Sequence, residues 1–210
     1  IAIPSAEVLK EKTILVGSWM FLGDHDTAFA PRVLLSFFPR WEIGAGIDIV
    51  PDMDTSAIFN TKVKIYKSSN IDIALGFNYQ INATGKDTDA NHNQQPFVAF
   101  TWYGWGKTSM FFGKTFGKHT RGRHIDFGIG LEKEVFVGSF GGLEVIFDFT
   151  NCGYRFLAPS YAGSTNRGIF NGGVRFLAFN KKLNIDLIAV DFLDAIFDNF
   201  AISASYQLSF

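Results

Sequence analysis

Apolar and polar residues alternate with a period of two along most of the chain. In residues 71–81 every second residue is large and apolar, and the residues between them are small or polar. Similar alternation occurs in 41–49, 125–131, 143–149 and 202–210. Successive side chains of a strand point to opposite faces, so this pattern predicts β-strands with one apolar face.

The breaks in this pattern define the predicted strands. They are 12–23, 28–38, 41–50, 57–66, 71–82, 95–105, 107–117, 123–135, 142–155, 167–179, 183–193 and 200–210. Strands of about ten residues exceed the five or six usual in globular proteins and match the 9–11 that cross a bilayer at a tilt. The sequence predicts an all-β fold, an antiparallel up-and-down transmembrane β-barrel of about twelve strands. Ten strands remain an alternative, because three strands alternate poorly.

A soluble lipocalin-like barrel is the competing interpretation of the alternation. Its polar face would point to solvent and would be rich in Lys and Glu. Here the polar face is rich in Gly, Ser and Asn, with isolated acids. This composition favours a confined interior over a solvated exterior.

The connections between predicted strands alternate between tight turns and longer polar loops. Outer-membrane barrels have short periplasmic turns and longer outer loops, so both termini are predicted to be periplasmic. Residues 1–11 lack the barrel pattern, and we expect an N-terminal arm or short helix on the periplasmic side. Residues 12–210 form the predicted barrel.

The last strand carries a further feature. Tyr206, Leu208 and Phe210 lie on one face, and the sequence ends on the aromatic residue. This end resembles the C-terminal strand signal of bacterial outer-membrane β-barrels. The resemblance implies an integral, multi-pass protein of the Gram-negative cell outer membrane, with membrane lipid and the outer-membrane assembly machinery as partners. It points to no particular family.

Composition excludes several other classes. The 19 basic and 20 acidic residues give a formal net charge of −1, so no basic footprint for nucleic acid is present. With 47% hydrophobic residues the chain is not disordered. Cys152 is the single cysteine, which excludes an internal disulfide.

Candidate chemistry is weak. None of the four histidines, His25, His92, His119 and His124, has a serine two residues away, and no G-x-S-x-G motif occurs. Acidic pairs in the predicted loops match no EF-hand spacing. We therefore expect no catalytic residues, no metal and no cofactor.

Charged residues on the polar face are the candidate functional set, because that face points into the predicted barrel. These lumen-lining candidates are Arg32, Glu42, Asp48, Lys62, Lys64, Asp72, Lys114, Asp126, Glu132, Glu144, Asp148, Arg175 and Asp186. The first interpretation is a narrow, porin-like transport channel for small solutes or ions, leaning towards cations because acids are in excess. The second is a barrel closed by pairing of these charges, which anchors or partners another envelope protein. A lipid-acting outer-membrane enzyme is the least favoured.

Overall fold

The structure, a computed structural model, describes residues 4–23, 27–49, 55–83, 91–117, 125–138, 141–151, 168–193 and 199–210. All regular elements in these ranges are β-strands. They are β1 Thr13–Leu22, β2 Thr27–Phe38, β3 Trp41–Asp48, β4 Thr55–Lys67, β5 Ile71–Ala83, β6 Asn91–Tyr103, β7 Lys107–Gly113, β8 Phe116–Gly117, β9 Asp126–Gly138, β10 Gly141–Thr150, β11 Ile169–Ala178, β12 Leu183–Ala189 and β13 Phe200–Ser209. No helix within the described ranges is long and apolar enough to cross a membrane.

The strands form a closed antiparallel barrel. Consecutive strands pair with each other except around the short β8, which pairs with β6 while β9 pairs with β7, and β13 pairs with β1 over ten residues, from Thr13 opposite Ser209 to Leu22 opposite Phe200. The amide of Phe210 extends this ladder by donating to the carbonyl of Lys12 at 3.0 Å. Closure leaves no sheet edge, as a sheet in lipid requires. The closed antiparallel barrel that the sequence predicts is confirmed.

Two short segments, β7 and β8, occupy one position in the barrel. Both pair with β6 in one continuous register, since Phe97 faces Gly113 and Gln94 faces Phe116. Between them Pro96 accepts a hydrogen bond from the amide of Lys114 at 3.1 Å. Proline has no N–H to return that bond, which explains the interruption. The barrel therefore has twelve strand positions, and the twelve-strand prediction is confirmed.

Residues 4–12 form an irregular arm, without the alternative short helix. Lys12 has a positive φ of 55°, which turns the chain from the arm into β1. The arm enters at the end of the barrel that carries the tight turns, such as residues 68–70 and 104–106. We call this the tight-turn end.

Candidate functional site

The outer surface of the barrel is apolar. Side chains that the alternation assigned to the lipid face are exposed, including Leu75, Phe147 and Leu208, each about half exposed. Exposed aromatic residues also lie where the strands end near the tight turns. They include Phe38, Trp41, Tyr66, Trp102, Phe136 and Phe210. Such a belt with aromatic residues at its border is typical of barrels in lipid.

The inner face is polar and largely buried. Five of the predicted acids, Glu42, Asp48, Asp72, Asp148 and Asp186, are at most 7% exposed. The remaining candidates are half-buried. They are Arg32, Lys62, Lys64, Lys114, Asp126, Glu132, Glu144 and Arg175. Buried charges need partners or water, so their contacts determine what this interior can do.

Arg175 on β11 is the centre of the ion pairs on one side of the barrel. Its guanidinium donates to both carboxylate oxygens of Asp186 at 2.7 and 3.1 Å and to Glu132 at 2.8 Å. Glu144 lies 3.6 Å away, and Ser203 donates to Asp186 at 3.0 Å. This geometry is the two-pronged arrangement that makes Arg–carboxylate pairs strong. It brings together four of the predicted residues.

A second group lies on β3 to β6. Lys64 pairs with Asp72 at 2.5 Å, and Lys62 pairs with Glu42 at 3.4 Å. The hydroxyl of Tyr103 donates to Asp72 at 3.1 Å. All of these partners except Tyr103 were predicted from the alternation.

The arm joins the two groups. Glu7 accepts a hydrogen bond from Lys107 at 2.6 Å, and its carboxylate lies 3.2 Å from the Tyr103 hydroxyl, whose single proton it shares with Asp72. Lys107 also pairs with Glu132 at 2.7 Å. The resulting chain of contacts runs through Ser203, Asp186, Arg175, Glu132, Lys107, Glu7, Tyr103, Asp72 and Lys64.

The environment of Glu7 favours its charged form. Burial acts to raise the pKa of its carboxyl, but the charge of Lys107 and the hydrogen bonds from Lys107 and Tyr103 outweigh burial. The pKa of Glu7 therefore lies below its usual value. At neutral pH the arm presents a carboxylate to Lys107.

Towards the other end of the barrel, the inner face carries amides and hydroxyls beside the acids. Asn171 donates to Asp148 at 2.7 Å, and Gln95 donates to Asp126 at 2.9 Å. The hydroxyl of Thr115 also donates to Asp126, at 2.5 Å. The guanidinium of Arg32 lies over the Trp19 ring, 5.5 Å from its centre.

Several buried polar atoms of the inner face have no protein partner. Among the described residues these include Oδ1 of Asn60, Oδ1 of Asp72, Nδ2 of Asn93 and Oδ1 of Asn184. Buried polar groups are nearly always satisfied by protein or by ordered water. These atoms are therefore suited to a hydrated interior.

The alternation missed Glu7, Tyr103 and Lys107. The strands that carry Tyr103 and Lys107 also hold the buried Phe97 and Phe111 on the inner face, and this obscured the polar–apolar pattern. Inward Ser109 and Thr101 are the signal that could have set the register of these strands. Nothing in the periodicity indicates Glu7, because the arm is not a strand.

Other sequence candidates contribute little to this site. His92 is exposed, and its Nδ1 shares a 2.6 Å hydrogen bond with the Tyr79 hydroxyl. His25, His119, His124 and Cys152 lie outside the described residues. Across the described ranges, no group of three His, Cys, Asp or Glu residues has the geometry of a metal site.

Comparison with solved structures identifies the architecture. The KdgM porin superposes with a TM-score of 0.61 at 8% identity, covering 93% of this chain and 99% of its own. The chain has the fold of an outer-membrane porin. The NanC porin gives 0.62 at 9% identity, covering 93% and 100%, and Omp33 of Acinetobacter baumannii gives 0.54 at 9% identity, covering 95% and 99%.

Comparisons at the level of sequence find no match. No protein-family model matches the chain, and no curated protein matches it. The predicted resemblance to outer-membrane β-barrels is confirmed at the level of the fold. The comparisons assign the chain to no particular family.

Proposed function

We propose that the chain is an integral outer-membrane β-barrel that forms a narrow, water-filled channel for small solutes, with a preference for cations. The observation that carries the proposal is the inversion of polarity, with apolar side chains exposed outside and charged side chains buried inside. A soluble barrel has the opposite arrangement. The apolar exterior supports lipid as the surroundings of the barrel, and both termini would then lie at the periplasmic, tight-turn end.

The strand number supports a narrow lumen. A barrel of about eight strands has an interior that side chains fill, and barrels of 16–18 strands leave an aqueous channel. Twelve positions lie between these limits. The ion pairs and the arm occupy part of the cross-section of the lumen, and the buried polar atoms without protein partners support a hydrated remainder.

The acidic excess determines the proposed selectivity. Rings of acidic side chains favour cations in other channels. The KdgM porin has been solved in complex with disordered oligogalacturonate, a polyanion. Here, Asp72, Asp126 and Asp148 lie on the inner face, and such acids oppose a polyanion. We therefore propose small cationic or neutral solutes for this chain.

Planar-bilayer recording tests this function. We expect a small conductance and a reversal potential in a KCl gradient that indicates weak cation selectivity. Changing Asp72, Asp126 and Asp148 together to Asn should move the reversal potential towards zero. Glu11→Gln is the control, because Glu11 is exposed on the arm next to β1 and is not part of the inner ion pairs. Anion selectivity of the unaltered protein would contradict the proposal.

A closed structural barrel is the second candidate, and the mutual pairing of the inner charges favours it. Such a barrel would anchor or partner another envelope protein. Absence of conductance from correctly folded protein, together with a stable envelope partner in a pull-down, would favour this alternative.

We also propose that the protein is not an enzyme and that its last strand is the assembly signal. The structures compared above are porins rather than enzymes. The signal would comprise Tyr206, Leu208 and Phe210, which end the closing strand with exposed side chains. Insertion assays in cells with Phe210 deleted would test the second proposal, because a deletion that inserts normally excludes it.

A further inference from the structure

We propose that residues 4–11 are a seated plug that narrows the channel at its tight-turn end, and that Glu7 is the residue that holds the plug in place. This inference rests on the proposed channel function. It assigns to the arm a role that neither the alternation nor the porin fold requires.

Ala6 anchors the arm in an apolar seat. It is fully buried and packs in one cluster with Ala74, Ala99, Phe97 and Phe111. These four residues come from the inner faces of β5, β6 and β7. Its backbone amide also donates to the Thr101 hydroxyl at 2.9 Å. Ala6 therefore lies in the barrel interior against the inner face of the wall, and the arm does not extend into solvent.

Two further contacts fix the arm on each side of this anchor. Lys62 donates to the carbonyl of Ser5 at 3.1 Å, and the amide of Leu9 donates to the carboxylate of Glu42 at 3.0 Å. The arm therefore takes up hydrogen-bonding groups of β3 and β4 that otherwise face the lumen. The arm therefore reduces the cross-section of the channel on the side formed by β3 to β7.

Glu7 connects the arm to the ion pairs of β9 to β12 through Lys107. Lys107, which Glu7 contacts, also binds Glu132, and Glu132 is bound by Arg175. Removal of Glu7 would separate the two ion-pair groups. Because it is the arm residue that bonds two charged or polar side chains at once, it is the best single position at which to loosen the plug.

The seat is reversible in its chemistry. Within residues 4–11, the described contacts to the barrel are hydrogen bonds that involve a side chain, one ion pair and one buried alanine, and no strand ladder forms. The side chains of Lys10 and Glu11 are exposed, and the ladder with β13 reaches only as far as the carbonyl of Lys12. Release would need no change in the pairing of the barrel strands.

Single-channel recording tests the plug in four proteins: the unaltered chain, a deletion of residues 4–10, Glu7→Gln and Glu11→Gln. We expect the deletion to raise the conductance about twofold or more, since the lumen of a twelve-position barrel is wider than its side chains alone would fill. Glu7→Gln should raise the fraction of time in the wider state about tenfold, the effect of losing one charge-assisted hydrogen bond. Glu11→Gln is the matched control and should behave as the unaltered chain.

The outcomes separate the plug from the channel. Equal conductance of the unaltered chain and the deletion would overturn the plug and leave the channel standing. Absence of conductance from both the unaltered chain and the deletion, with folding verified by heat-modifiable gel mobility, would overturn the channel and the plug together.

Thiol labelling tests the seat without conductance. In a Cys152→Ser background, Ala6→Cys should react with a charged maleimide at least about tenfold more slowly than Glu11→Cys, because Ala6 is buried in the seat. Adding Glu7→Gln should accelerate labelling at position 6. Equal rates at positions 6 and 11 would show that the arm lies outside the barrel and would overturn the proposal.

Discussion

Replacing Arg175 with Met should destabilise the barrel more than any exposed ion pair can. Arg175 is the described cationic partner of Asp186, and it also bonds Glu132. The change keeps the length of the side chain and leaves Asp186 buried with only the Ser203 hydroxyl as its described partner. The inner charges then repel one another without the central cation.

The magnitude follows from burial. Removing one partner of a buried ion pair costs about 3–5 kcal/mol. The Arg175 side chain is 16% exposed, so water recovers part of the loss and we expect a value near the lower limit, about 3 kcal/mol. Lys181→Met is the control, because Lys181 is 62% exposed in its pair with Glu134 and should contribute at most about 1 kcal/mol.

Urea unfolding in detergent micelles or lipid vesicles measures these differences. Adding Asp186→Asn to Arg175→Met should recover about half of the loss, because the uncompensated carboxylate is then removed. If Arg175→Met costs no more than Lys181→Met, the inner charges are too well hydrated to stabilise the barrel, and our interpretation of the network is wrong.

Three further predictions concern the exterior, the packing of the wall and the arm. Leu75→Lys should lower the unfolding free energy in lipid by about 2–4 kcal/mol and Ile71→Lys, nearer the strand end, by at most about 1 kcal/mol; equal costs would contradict the lipid belt. Gly76→Ala places a β-carbon 2.1 Å from the ring of Phe97 and should lower the free energy of unfolding by about 1–3 kcal/mol. Adding Phe97→Leu should recover this loss. Unchanged stability of Gly76→Ala would show that the ring moves freely. The pKa of Glu7 in the seated arm lies below its usual value of 4.5, so the arm stays in place from neutral pH down to pH 4.5. The arm is released as the pH falls through the lowered pKa, so the conductance should rise in acid. Glu7→Gln is the control for protonation of the neighbouring acids, and its conductance should lack the part of the acid-induced rise that Glu7 causes.

The fold could be predicted from the sequence because burial in a barrel wall follows the period of the strand. Ile202 and Leu208 alternate with Ser203 and Ser205, and the structure exposes the first pair and buries the second. The charged residues of the inner face follow from the same register. Where the pattern weakens, as around Phe97, the cause is a local apolar seat on the inner side.

The arm could not be predicted from the sequence. Its position depends on contacts about 100 residues apart, such as that between Glu7 and Lys107, and no local pattern encodes such a contact. The division of one strand at Pro96 is a smaller case. The sequence shows the proline, but the missing hydrogen bond matters only because Lys114 lies opposite it.

Spin labelling of the last strand tests the central claim that this barrel has lipid outside and water inside. Labels are placed singly at Ala204, Tyr206 and Leu208, which point outward, and at Ser205 and Gln207, which point inward. In lipid vesicles the outward labels should collide preferentially with oxygen and the inward labels with a water-soluble nickel chelate, in strict alternation. Reversed alternation, or uniform access of the nickel chelate to all five positions, would contradict the account.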